Sequence, residues 1–268
     1  MANPASRARP ASARRSFRSL ALRLAGACCL LAAQTGVAGS LQVAPISLEF
    51  SEGQQAQALW LSNAGDAPIR AQVRVMQWSQ SEGSERLEPS RELVPSPPIV
   101  EIAPGRQQLV RIVRPEATAA GRELAYRVLV DELPDAQQAA DAGLQFLLQY
   151  SIPLFVLPAG AAAQDAPGPR PPTDASTLSA SLAGSGQDTH LTVVNRGARR
   201  VRLSQLAQVD AAGTHTMLVP GLLGYVLAGQ RMQWPVSLPP GGFHGARLEV
   251  RLNDDQEPQI LPLASSTP

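Results

Sequence analysis

Between Leu144 and Val156 apolar side chains recur at every second position: Leu144, Phe146, Leu148, Tyr150, Ile152 and Leu154. A period of two places all six on one face of an extended strand. Gln145, Gln149 and Ser151 fall on the other face, followed by Phe155. Strands typically run about 5–6 residues, so one over 144–156 is expected to outrun the sheet that holds it. Its overhang would offer large apolar side chains and free backbone groups to another chain. An ordinary core strand, with its apolar face on its own second sheet, carries the same pattern.

Short β-rich runs precede it, at Leu41–Phe50, Ala56–Ser62, Ile69–Trp78, Leu93–Ile102, Gln107–Val113 and Glu123–Leu133. Turn residues separate them, as at Asn63-Ala64-Gly65-Asp66 and Ala103-Pro104-Gly105. This spacing predicts an antiparallel sandwich over 41–158. Pro95, Pro97 and Pro98 suit an edge or a switch between sheets, since proline cannot donate to a ladder. Trp60 and Trp78 are expected to fill the core of this sandwich.

Residues 159–174 are rich in Ala, Gly and Pro and predict a linker, stiff where proline dominates. A second β-rich module over 175–263 follows, with runs at Leu178–Leu182, His190–Asn195, Val201–Asp210, Thr214–Val219, Tyr225–Leu227, Met232–Leu238 and Arg247–Leu252. The expected fold is all-β: two Ig-like sandwiches, the second smaller, in a bent, L-shaped arrangement with a cleft. Residues 264–268 read as an unstructured tail.

Residues 1–40 have the layout of a secretory signal peptide. Five arginines and no acidic residue precede an apolar stretch at Leu20–Ala33, which a sixth, Arg23, interrupts, and small residues close the segment near Ala38–Ser40. All 23 basic residues are arginine; loss of six would leave 17 against 22 acidic residues, a net charge of −5. That balance argues against nucleic acid as a partner. Both cysteines, Cys28 and Cys29, would leave with the leader, removing disulfides and thiolate chemistry from the mature chain.

No catalytic or metal-binding constellation emerges, and no cofactor is implied. His190, His215 and His244 lack metal-ligand spacing, and no G-x-S-x-G elbow or phosphate loop occurs. Alternation over Glu123–Pro134 puts Glu123, Ala125, Arg127, Leu129 and Asp131 on one face. A mid-strand arginine needs solvent, a carboxylate or a ligand. Arg127 therefore either pairs with Glu123 or Asp131, or waits for an anionic group such as a chain-terminal carboxylate.

The order of these features resembles the PapD-like periplasmic chaperones of chaperone–usher pili. The resemblance rests on Leu41–Phe50, Ala58-Leu-Trp-Leu-Ser-Asn63, Ile102-Ala-Pro-Gly105 with Gln107–Arg111, Arg122–Pro134, Leu144–Pro158, and Leu191–Asn195 with Gly197 and Leu203. It implies a non-enzymatic periplasmic protein that holds secreted pilus subunits by lending them a strand and delivers them to an outer-membrane usher. Leu144, Phe146 and Leu148, with Tyr150 and Ile152 behind them, would be the donor side chains. Such an edge could also be capped by a second copy when no cargo is bound.

The family's better-known members anchor the subunit's terminal carboxylate with basic residues at positions that here are Ser47 and Pro153. The archaic, spore-coat-type branch is the better match. Arg127 is the candidate replacement anchor, with Arg111 and Arg114 behind it, and Glu123 matches a buried acidic residue that orients an arginine. Two other readings are open: a structural pilus or adhesion subunit, and a two-domain Ig-like envelope-binding module. The two modules and the cysteine-free mature chain weigh against the first, and the scattered aromatics against the second.

Overall fold

The structure, a computed structural model, describes residues 41–116, 121–134, 146–163, 172–240, 242–243 and 246–264. The expected leader at 1–40, Leu144, half of the linker (164–171), His244 and the tail from 265 lie outside these residues. The first sandwich begins with β1 (Leu41–Ala44) and β2 (Leu48–Phe50), expected from sequence as a single strand. Pro45 interrupts the ladder between them. β1 pairs with β3 (Ala56–Asn63) in one sheet, whereas β2 crosses to the other.

β4 (Ile69–Ser81) turns into β5 (Ser84–Pro89), and β6 (Val94–Ser96) is followed by β7 (Ile99–Ile102). β6 and β7 lie in different sheets, so the prolines at 95–98 mark a sheet switch, as expected. β8 (Gln107–Val113), β9 (Leu124–Leu133) and β10 (Gln149–Val156) complete the unit. One sheet has the order β1-β3-β8-β6; the other runs β2-β10-β9-β4-β5, with β7 on the first half of β4. Leu59, Leu61, Val110 and Ile112 from the first sheet meet Val73, Val75, Tyr126, Val128, Ile152 and Leu154 from the second. Each large side chain buried this way contributes about 1.5–3 kcal/mol before chain entropy is subtracted.

The second sandwich comprises β11 (Leu178–Ala183), β12 (Thr189–Asn195), β13 (Val201–Val209), β14 (His215–Val226), β15 (Arg231–Val236), β16 (Arg247–Leu252) and β17 (Gln259–Ile260). Its sheets have the orders β11-β12-β15 and β14-β13-β16-β17. The two runs expected at 214–219 and 225–227 are one strand, β14, which follows β13 through three register shifts. The isolated tryptophans depart from expectation. Trp60 is 39% exposed on the outer face of its sheet, because Leu59 and Leu61 on either side take the inward positions.

The same device closes a strand in each sandwich. Asn63, at the end of β3, donates from its buried amide to the carbonyls of Ala67 and Ile102 and accepts from Gly65 N–H. Asn195, at the end of β12, donates to Arg199 and Val226 and accepts from Gly197 N–H. An N-x-G tripeptide thus ties a turn to a neighbouring strand twice over. Replacing Asn63 with Ala leaves buried carbonyls unpaired and is expected to cost ~2–4 kcal/mol. A urea unfolding midpoint unchanged from wild type would contradict this.

Candidate functional site

The outward face of the β2-β10-β9-β4-β5 sheet carries the residues singled out for chemistry. Tyr126, Val128 and Val130 of β9 point into the core, so Ala125, Arg127 and Leu129 point away from it, as the alternation predicts. This face meets the second sandwich, and both lie within one compact unit, Gly39–Pro268. Trp78, Ala125 and Phe155 pack there against Leu227 and Tyr225. Trp78 is therefore a buried contact residue of the joint and not a filler of the first core, contrary to expectation.

Polar groups fix the joint. Arg200 donates from Nη1 to Glu123 Oε2 at 2.6 Å and from its backbone to Oε1 at 2.9 Å. Its Nη2 reaches Glu49, and its guanidinium lies 3.5 Å from the centre of the Phe155 ring. Gln80 donates to the Tyr225 carbonyl and accepts from Leu227 N–H, at 2.7 and 3.0 Å. The β4–β5 hairpin touches β15 through Gly83, where an added Cβ would come within 2.9 Å of Gln233 Cβ. Glu123 thus holds an arginine, as proposed from sequence, but the arginine belongs to the second sandwich. Arg200, Gln80 and Tyr225 carry no local signature, since their partners lie far off in the chain.

Arg127 pairs with neither acidic residue considered for it. Arg74 takes Asp131 at 2.8 Å and Arg200 takes Glu123. The Arg127 guanidinium stacks 3.8 Å above the Trp78 ring centre and 5.9 Å from that of Tyr225, with Glu85 at 4.0 Å. Burial pushes it below the ordinary arginine range, opposed by Glu85 and Tyr225. In the ladder Arg127 is the direct partner of Pro153. Arg111 points outward from the opposite sheet, between the buried Val110 and Ile112, so the two arginines are not brought together. Arg114 is buried near Tyr126, whose hydroxyl donates to Glu92. Ser47 is exposed in the β1–β2 turn.

The strand expected over 144–156 begins only at Gln149, with Phe146, Leu147 and Leu148 preceding it as irregular backbone and Leu144 and Gln145 outside the described residues. From Gln149 to Val156 it is β10, paired with β9 along its whole length but with β2 only at Leu154–Val156. Ile152 is 4% exposed in the core, and Tyr150 packs beside it and donates to the Leu41 carbonyl. Leu148 packs partly against the same core, and its carbonyl accepts from Glu132 N–H. Phe146 is 78% exposed. The ordinary-core pattern thus describes Tyr150 and Ile152, while an outward apolar side chain remains at Phe146. Among the described residues no cluster of His, Cys, Asp and Glu could hold a metal, and no helix is long and apolar enough to cross a membrane.

Two sandwiches with a fixed joint and a strand paired on only one side over half its length define a modular Ig-like protein. Residues 40–162 match the family described as pili and flagellar-assembly chaperone, PapD N-terminal domain. A chain of the CsuC–CsuE chaperone–tip adhesion subunit pre-assembly complex, from archaic chaperone–usher Csu pili of Acinetobacter baumannii, superposes with a TM-score of 0.62 at 23% identity, covering 83% of this chain and 97% of that one. The CupB2 chaperone of Pseudomonas aeruginosa gives 0.56 at 16% identity, over 83% of this chain and 100% of its own. A chain of the Salmonella enterica SafA pilin–SafB chaperone complex gives 0.54 at 17% identity, over 82% and 95%. No curated protein matches in sequence. The family match coincides with the first sandwich, and the two-sandwich fold of the whole chain is that of these solved pilus chaperones.

Burial outweighs the neighbouring arginines at Glu123 and holds its carboxyl above the ordinary value of 4.5. The native state then binds this proton more readily than the unfolded chain does, so stability is lost as pH rises from 4.5 through the raised native value. The Tm of wild type relative to Glu123→Gln is expected to fall across that window in scanning calorimetry. A pH-independent difference would reject the assignment.

Proposed function

We propose that this protein is a periplasmic chaperone that holds secreted pilus subunits by donor-strand complementation and passes them to an outer-membrane usher. The observation that carries the reading is the half-paired strand. On the side away from β9, the Gln149–Pro153 stretch of β10 has no ladder partner among the described residues, and an exposed Phe146 precedes it. An incomplete sandwich could pair with that edge and take Phe146, with Leu144 and Leu148, into its groove; backbone pairing and apolar burial then act together. Tyr150 and Ile152 would support the strand from within the chaperone's own core.

Arg127 would anchor the subunit's terminal carboxylate. Cross-strand partners share a face, so its guanidinium leaves the sheet beside Pro153, the position at which the better-known relatives carry a basic residue. Arg111 lies on the wrong sheet for this role. The relocation supports a place in the archaic branch. In the absence of cargo the same edge would be capped by a second copy.

Co-expression with pilus subunits and purification from the periplasm tests the reading. Wild type should retain an equimolar complex, and Phe146→Glu should lose it with an unchanged Tm, because the side chain is outside the core. Arg127→Ala should weaken the complex. Failure of wild type to retain any subunit would reject the proposal.

A further inference from the structure

The Arg127 seat combines a rigid half and a loose half. Trp78 is 2% exposed, and its ring is held by Phe155 and Tyr225 at centroid distances of 6.0 and 5.6 Å. The guanidinium above it has only 16% of its side chain exposed, so it is positioned and largely stripped of water. A desolvated cation gains from an opposite charge more than an exposed one does. Among the described residues the single carboxylate within 4.0 Å is Glu85. That contact sits at the limit of ion pairing, and the Glu85 side chain is 42% exposed. It belongs to β5, an edge strand whose residues are all exposed. The acidic residues on the same face of its own strand segment, Asp131 and Glu123, are engaged by Arg74 and Arg200.

We propose that Glu85 is a resident counter-charge for Arg127, which an incoming carboxylate displaces, and that it thereby sets how tightly cargo is held. The proposal rests on the chaperone reading and names a residue that reading does not use. A fixed aromatic shelf keeps the guanidinium oriented throughout the exchange. The carboxylate that moves is the exposed one, so exchange requires no repacking of the joint. Charge near Arg127 stays balanced before and after, which avoids leaving the cation buried and unpaired.

The test uses the mature protein and a synthetic strand-forming peptide of alternating valine and threonine, made with either a free C-terminal carboxylate or a C-terminal amide. Calorimetric titration compares wild type, Glu85→Gln and Arg127→Ala. Glu85→Gln should bind the carboxylate peptide about 2- to 5-fold more tightly than wild type, the factor an exposed ion pair is worth, with no change for the amide. Arg127→Ala should bind both peptides equally. Equal tightening for both peptides, or none for either, overturns the role of Glu85; the anchor survives if Arg127→Ala still erases the acid–amide difference. If wild type binds both peptides alike, or binds neither, the carboxylate anchor and the proposal fall together.

Discussion

The rest of the molecule depends on one buried guanidinium. Arg200 reaches from the second sandwich between Glu49 and Glu123 of the first and lies against Phe155, so one side chain fixes β2, β10 and the start of β9 against a neighbouring domain. Removing one partner of such a group generally costs about 3–5 kcal/mol, because the remaining charge is left buried. An ion network of this kind contributes less to net stability than to choosing a single arrangement. Gln80 reinforces that choice with bonds to Tyr225 and Leu227, which only one placement of the β4–β5 hairpin permits.

One sheet consequently serves two masters. Its inner face closes the first core with valine, tyrosine and leucine, while its outer face carries the aromatic shelf and the cation. β10 joins these tasks residue by residue: Ile152 and Leu154 face inward and Phe155 faces the joint, while Phe146, ahead of the strand, stands clear of both. Alternation along a strand allows this, since neighbours point to opposite sides.

Alternation was also what made the fold readable. The core positions of β9, the sheet switch at the prolines and the N-x-G turns all follow from local patterns. β5 went unseen because Ser84-Glu85-Arg86-Leu87-Glu88-Pro89 has no buried side to betray it. The tryptophans were misplaced because their size suggested a core, although parity decides the matter. Leu59 and Leu61 leave Trp60 outside, and Val73 with Val75 put Trp78 on the opposite face of β4. The joint was hidden for a different reason. Glu123 meets a residue 77 positions later and Glu49 one 151 positions later, and no short-range pattern encodes such meetings.

The contrast between Phe146 and β10 has an evolutionary consequence. Phe146, ahead of the strand, is 78% exposed, whereas Ile152, within it, is bound to the core. A substitution at Phe146 therefore carries little folding cost, while one at Ile152 disturbs the core. Were Phe146 to contact cargo as proposed, single substitutions there could alter what is recognised and leave the supporting frame intact.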